Sequence, residues 1–442
     1  MTSSNGQAKK YNLANTYSNY SSILTYNETG YTDYSDLLDE YDEASDRASE
    51  QAGRILKENL QDPTARTGYA MAGWRPRKDD MKAQAVEWWN WGESNHTCNT
   101  KDIQLMQTDW ESAATPEMSS FVFGAASDNL TFNQFGEDNN LVVDSRGYSV
   151  LAEGEASTFL KPGDPRLRLN AQITDIEYSE HGVTVHMQDG SCVTAAYAIC
   201  TFSLGVLQNH AVEFSPELPS WKQTAINQFA MSTYTKIFMQ FNETFWPDDT
   251  QYFLYASPTT RGEYPVFQSL STEGFFPGSN IIFVTVVADQ SYQVEQQSDE
   301  QTQEEVLAVL RQMFPDKNIP EPTAFFYPRW TKEPWAYGSY SNWPAGTTLE
   351  MHQNLRANAG RLWFAGEATS AQYFGFLHGA WFEGREAGKQ IAALLQDRCA
   401  EIYGTRECGD RTHYEPLRGT TPEEEYTVSN GWPVDSVTVG SN

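Results

Sequence analysis

Residues 361–397, RLWFAGEATSAQYFGFLHGAWFEGREAGKQIAALLQD, read as a short apolar strand, a loop and a long helix. The helix carries Gly379, Gly384 and Gly388, residues without a Cβ that permit close packing against the strand side. Working outward, the same alternation of element types recurs. IIFVTVVA (281–288) is a buried strand, and Ser298 with Gln301 forms a capping box for a helix carrying Val306, Leu307, Leu310 and Met313. RLRLNAQITDIEYS (166–179), GVTVHM (182–187) and CVTAAYAICTF (192–202) read as a meander, with an Asp189-Gly190 turn, feeding a buried strand. From Ser35 to about Asn59, Leu37, Leu38, Tyr41, Ala44, Ala48, Ile55 and Leu56 recur at helical spacing opposite a charged face, before Pro63. Strands and helices alternate, so the class is α/β or α+β.

MSTYTKIFMQF (231–241) alternates as a strand does, with Tyr234, Lys236, Phe238 and Gln240 on one face. Lys236 therefore points where aromatic residues point. Taken alone, such a lysine is more often a solvated residue of an edge strand. EWWNW (87–91) shows no clear period and is read as core, with a ligand wall as the alternative. After Cys408 the chain turns polar and is expected to fray.

With 442 residues the chain is long enough for two or three domains, and 39% hydrophobic with 20% charged residues argues for a folded protein. The net charge of −29 repels nucleic acid and anionic membranes and attracts cationic ligands, polyamines among them. The five cysteines show no zinc-like spacing, so no metal is expected. Cys399 and Cys408 are close enough to pair in an oxidising compartment, whereas Cys192 and Cys200 read as core thiols. Sequons at Asn19, Asn27, Asn95, Asn129 and Asn242 are compatible with secretion but near the number chance gives, and MTSSNGQAKK (1–10) is not a signal peptide. No apolar run is long enough to span a bilayer.

TFSLGVLQ (201–208), FSPELPSWKQTAI (214–226), YTKIFMQF (234–241), the WxxxPWxxGSYSNWP stretch from Trp330, FAGEATS (364–370) and FGFLHGAWFEG (374–384) occur in one order. Together they resemble the flavin-dependent amine oxidases, and most closely the plant and fungal polyamine oxidases, from about residue 8 to about residue 400. The resemblance implies interleaved domains: a Rossmann-like FAD-binding domain over 140–235 and 344–400, and a substrate domain over 1–139 (helical) and 236–343, with a mixed sheet flanked by helices. Residues 401–442 would be a polar tail. It also implies FAD as cofactor, a small cationic amine and O2 as substrates, and hydride transfer to flavin N5 followed by imine hydrolysis and release of H2O2.

In this family pattern Lys236 matches the lysine that holds a water against flavin N5, which reverses the solvated-lysine reading. Tyr234 would line the cavity beside it. Tyr340 and Phe376 match the two aromatic positions that sandwich the substrate, Phe376 standing where tyrosine is more usual. Glu367, after Gly366, resembles the acidic residue that bonds the ribityl chain. Leu377 would aim its backbone N–H at the flavin N1/O2 edge, with His378 beside it, and Trp330 would pack by the isoalloxazine. Trp91 and Glu93 stand where polyamine oxidases carry an aromatic-acidic pair for substrate binding, with the carboxylate shifted by one position. The family's GxGxxG loop is absent from the chain. The expectation is a shortened chain, lacking the first βαβ unit of its FAD domain, or a misplaced gene start. Oxidation of another amine or an amino acid, or a form that cannot hold FAD, remain the alternatives.

Overall fold

The structure is a computed structural model that describes residues 8–91, 109–127, 140–402, 404–415, 420–428 and 430–432. Its centre is a seven-stranded mixed sheet in the order Ala324–Phe326, Tyr234–Gln240, Ile281–Val287, Val266–Ser269, Tyr252–Tyr255, Ile23–Asn27, Gly30–Tyr31. All neighbours are antiparallel except Tyr252–Tyr255 with Ile23–Asn27. The period of two along Tyr234–Gln240 decides what each face does. Thr235, Ile237 and Met239 are buried on one side, and Tyr234, Lys236 and Phe238 are half-buried on the other.

The helix Asp299–Met313 covers the first side, packing Val306, Leu307, Leu310 and Met313 with Ile237, Met239, Val284 and Val286. Ser298 caps it by accepting from the Gln301 N–H, while the Gln301 side chain donates to Glu305, so one half of the expected capping box forms. Beyond the other side lie the helices Ser35–Lys57 and Met81–Trp89. The first buries the expected stripe from Leu38 onward, Leu37 being half-buried, with the Tyr41 hydroxyl bonded to Tyr69 and Asn90. EWWNW is resolved as helix through Trp89, and its tryptophans are buried.

A four-stranded sheet, Cys192–Ala195, Val183–Met187, Ile173–Tyr178, Glu213–Ser215, and a parallel pair, Ala198–Cys200 with Leu362–Phe364, make up the second half. The helix Leu377–Leu394 follows this pair. Segments expected in different domains meet: Asn15–Tyr17 pairs with Asn140–Val142, and the strand Tyr234–Gln240 runs across position 235.

Several expectations are corrected. Cys192 is exposed because its strand is a sheet edge with no buried residue, while Cys200 is buried. Of the helix glycines, Gly379 alone is required by packing: a Cβ there would lie 2.1 Å from the Tyr373 carbonyl oxygen, whereas Gly384 and Gly388 face open space. The C-terminal segment does not fray among its described residues. Cys399 and Cys408 are bonded, and Arg411 donates to the Phe364 carbonyl and pairs with Glu383. Tyr426 and Trp432 are buried against Phe123, and Trp432 also packs on Trp343. The aromatic side chains scattered through this polar stretch give it apolar area to bury.

Candidate active site

Lys236, Tyr234, Tyr340 and Glu111 each keep accessible surface although protein surrounds them, which marks an enclosed cavity walled by rings. The Lys236 Nζ lies 5.8 Å from the Tyr234 ring centre and 5.0 Å from that of Phe283. Burial lowers the ammonium pKa, and the Glu111 carboxylate opposes that shift. Glu111 sits on a four-residue helix, Asp109–Ser112. Burial pushes its carboxyl up to about 7, against the pull of Lys236. Part of Glu111 remains open to the cavity, yet protein surrounds it, so its charge is desolvated more than its half-buried surface alone would suggest.

Tyr340 closes the wall. Its strand, Tyr340–Asn342, pairs with Ala230–Ser232, which sets its ring 6.0 Å from that of Tyr234 at 45°. The Tyr340 hydroxyl donates to the Glu111 carbonyl oxygen at 2.7 Å. Burial pushes both phenols, Tyr234 and Tyr340, above their ordinary range, so they stay neutral donors. Tyr252 and Tyr20 stack at 5.4 Å beside this group, and both feel the charge of Glu111.

Glu367 ties the wall to the turn that precedes the long helix. Its carboxylate accepts from Ser341 N at 3.1 Å, Ser341 Oγ at 2.7 Å and Gly375 N at 2.7 Å. Burial raises its pKa, and these donors oppose the rise. Gly375 has φ +79°, with a Cβ position 3.3 Å from the Tyr340 ring, so a side chain here would be strained and would press on the wall. Phe376 is the N-cap residue of Leu377–Leu394, makes no side-chain cap bond, and stacks on His378 at 5.3 Å. Burial pulls His378 down to about 4. Leu377 is 61% exposed at the mouth of this helix terminus. A Cβ on Gly366 would meet only open space.

Trp330 lies on the short 3₁₀ turn Trp330–Lys332, edge-on to Trp335 at 5.6 Å. Glu295 holds that turn: it is fully buried and accepts from Thr331 N at 2.9 Å and from the hydroxyls of Thr233 and Thr235. Thr235 is on the covered face of the Lys236 strand, so one carboxylate couples the tryptophan turn to the lysine strand.

The structure thus places Lys236, Tyr234 and Tyr340 around one cavity, with Glu367 and Gly375 joining it to Phe376 and Leu377. Trp91 is not at that surface. It is buried behind it, donating to the Tyr20 carbonyl at 2.7 Å and packing on Tyr252 and Trp110. Glu93 lies outside the described residues. The carboxylate the sequence reading missed is Glu111. Its signal was present as Trp110-Glu111, an aromatic-acidic pair in direct succession, where Trp91 and Glu93 are separated by a glycine. A separate cavity of about 480 Å³, lined by Tyr34, Arg77, Asp79, Lys82 and Pro258 among others, shares no residue with this site.

The pattern of flavin containing amine oxidoreductases matches residues 8–392. The chain belongs to this family. It is 38% identical over 337 residues to polyamine oxidase 1 of Zea mays, covering 74% of this chain and 66% of that protein. To polyamine oxidase 7 of Oryza sativa subsp. japonica it is 40% identical over 317 residues, covering 70% and 66%. The matches therefore span slightly under two thirds of the length of these relatives. The fold is that of a solved putrescine oxidase bound to putrescine, with a TM-score of 0.63 over 88% of this chain and 84% of that one, at 14% identity.

The family is flavin-containing, and the residues present fit the ring and ribityl end of FAD. Three protein donors leave one acceptor site on Glu367 Oε1 for a sugar-like hydroxyl, given the roughly four lone-pair sites of a carboxylate. The Phe376 side chain does not cap the helix that starts at Leu377, so the positive end of that helix suits an electron-rich ring edge. For the pyrophosphate end the chain offers no GxGxxG loop.

Proposed function

We propose that this protein is an FAD-dependent oxidase of polyamines of the spermine and spermidine class. The observation that carries the reading is an enclosed Glu111 carboxylate within electrostatic reach of the Lys236 ammonium, beside the rings of Tyr234 and Tyr340 and the Glu367–Gly375 turn. When bound, the flavin accepts the two electrons that leave the substrate carbon as a hydride equivalent, and O2 takes them up to give H2O2. The C–N bond left as an imine is hydrolysed by water, so one amine, O2 and H2O yield an aldehyde, a shorter amine and H2O2.

Each of the site residues has a part in this. Glu111, when ionised, attracts an ammonium of the chain, and the rings of Tyr234, Tyr340 and Phe376 bracket its methylenes and exclude water. Lys236, with its pKa lowered, exchanges a proton with a water in the cavity. Trp330 and Leu377 would bound the ring site, and Glu367 would hold the ribityl chain. An amino acid substrate would bring its carboxylate towards Glu111, whose charge disfavours it. The nearby Arg261 is already bonded to Asp109 and Glu87. Polyamines are therefore preferred over amino acids. The Cys399–Cys408 disulfide supports a protein exported to an oxidising compartment.

The test is an absorbance spectrum of the soluble protein from about 300 to 550 nm with FAD, before and after anaerobic spermine. Bands that bleach with spermine and return with O2 and H2O2 are expected. Folded protein that takes up no flavin, or flavin that spermine leaves oxidised, would overturn the proposal.

A further inference from the structure

The helix bearing Glu111 is a single turn, Asp109–Ser112, too short to hold its own shape. Its first residue is clamped from the side away from the cavity. Arg261 donates through both terminal nitrogens to Asp109, at 2.5 and 2.7 Å, and the same guanidinium reaches Glu87 Oε1 at 3.0 Å. Glu87 is fully buried and also accepts from Arg66, at 2.7 Å and through a second short bond, and from Trp74 Nε1 at 3.1 Å. Arg66 continues to Glu117 at 2.8 Å. An alternating chain, Glu117–Arg66–Glu87–Arg261–Asp109, thus runs from the surface to the base of the Glu111 turn.

Helix geometry converts this anchorage into aim. At 3.6 residues per turn, side chains two apart diverge by about 200°. With Asp109 fixed on Arg261, Glu111 is directed to the other side of the turn, and its charge acts on Lys236. Tyr340 holds the Glu111 carbonyl and leaves the carboxylate to the cavity. The Arg261 end is itself rigid, because Gly262, at φ +78°, presses on buried Trp88, and a Cβ there would lie 2.4 Å from the indole nitrogen.

We propose that Asp109 and Arg261 are positioning residues that fix the Glu111 carboxylate for the ammonium of the substrate, through the buried ion-pair chain and not by touching substrate. The inference rests on the proposed amine-binding role of Glu111, and its test separates the two. Flavin-loaded Asp109→Asn, Glu111→Gln and the double variant are titrated anaerobically with spermine, reading the dissociation constant and the limiting rate of flavin reduction. Asp109→Asn is expected to weaken binding about tenfold while the limiting rate changes by less than about threefold, and to add nothing further in the Glu111→Gln background. Equal, additive losses in both backgrounds, or unchanged binding in Asp109→Asn, would overturn the positioning role. Unchanged binding in Glu111→Gln would instead remove the role given to Glu111 itself. Should Asp109→Asn fail to fold, Arg261→Lys, which keeps the charge and loses the two-point grip, takes its place in the same cycle.

Discussion

The seven-stranded sheet and the four-stranded sheet are both built from alternating strands, yet they are covered very differently. Every residue of Tyr252–Tyr255 and Val266–Ser269 is buried, whereas Cys192–Ala195 and the helix Ser149–Ser157 bury none. Near the latter, Phe159, Leu167 and Leu169 are 63%, 52% and 74% exposed. The central strands of the larger sheet have helices and a core on both sides, so most of their side chains lose water. The second half is covered thinly, and much of its apolar surface contributes little to stability. Lys236 stands on the well-covered half, while Glu367, Gly375 and Leu377 come from the other, where the buried strand Leu362–Phe364 supports them.

The largest expected effect tests the well-covered half. Lys236→Met should slow amine-driven reduction or reoxidation of the flavin by about 10²-fold or more, with the oxidised spectrum retained, as measured by stopped flow. A similar loss of flavin binding would place Lys236 on the cofactor side instead. Next, Phe253→Ala empties a fully buried site between Tyr26 and Phe314 and should cost about 3–5 kcal/mol in a urea titration. Reducing Cys399–Cys408, which closes a separation of 9 residues, should cost about 2–3 kcal/mol by loop entropy. This loss should appear first as weaker flavin binding, since Arg411 in the same segment bonds the Phe364 carbonyl before the Gly366–Glu367 turn.

A smaller effect concerns pH. Glu111 is held at about 7, so it is charged above that value, and spermine binding should weaken by up to about tenfold per unit as pH falls below it. A carboxyl raised by folding also lowers stability as pH climbs from its unfolded value to about 7. Glu111→Gln should therefore flatten the binding limb and raise the melting temperature at pH 8. The smallest effect closes the comparison: Leu169→Ser, on the thinly covered half, should change stability by less than about 0.5 kcal/mol. A loss near that of Phe253→Ala would mean that this surface is covered in solution.

Much of the fold was legible in local pattern. The stripe over Ser35–Lys57, the Ser298 cap and the two-residue period of Tyr234–Gln240 follow from rules that act within a few residues, and the structure forms each of them. Cys192 and the C-terminal segment were misread because burial depends on what arrives from far along the chain: among the described residues nothing covers the edge strand of Cys192, whereas Phe123 and Trp343 receive Trp432. The sequence determined the family, and it pointed to the lysine strand, the aromatic positions and Glu367, because each sits in a recognisable local motif. Only the tertiary structure decided that the charge of Glu111 reaches Lys236 and that Trp91 is buried against Tyr20 and Tyr252. Contacts between residues more than a hundred positions apart, such as Arg261 with Asp109, leave no periodicity in the sequence to reveal them.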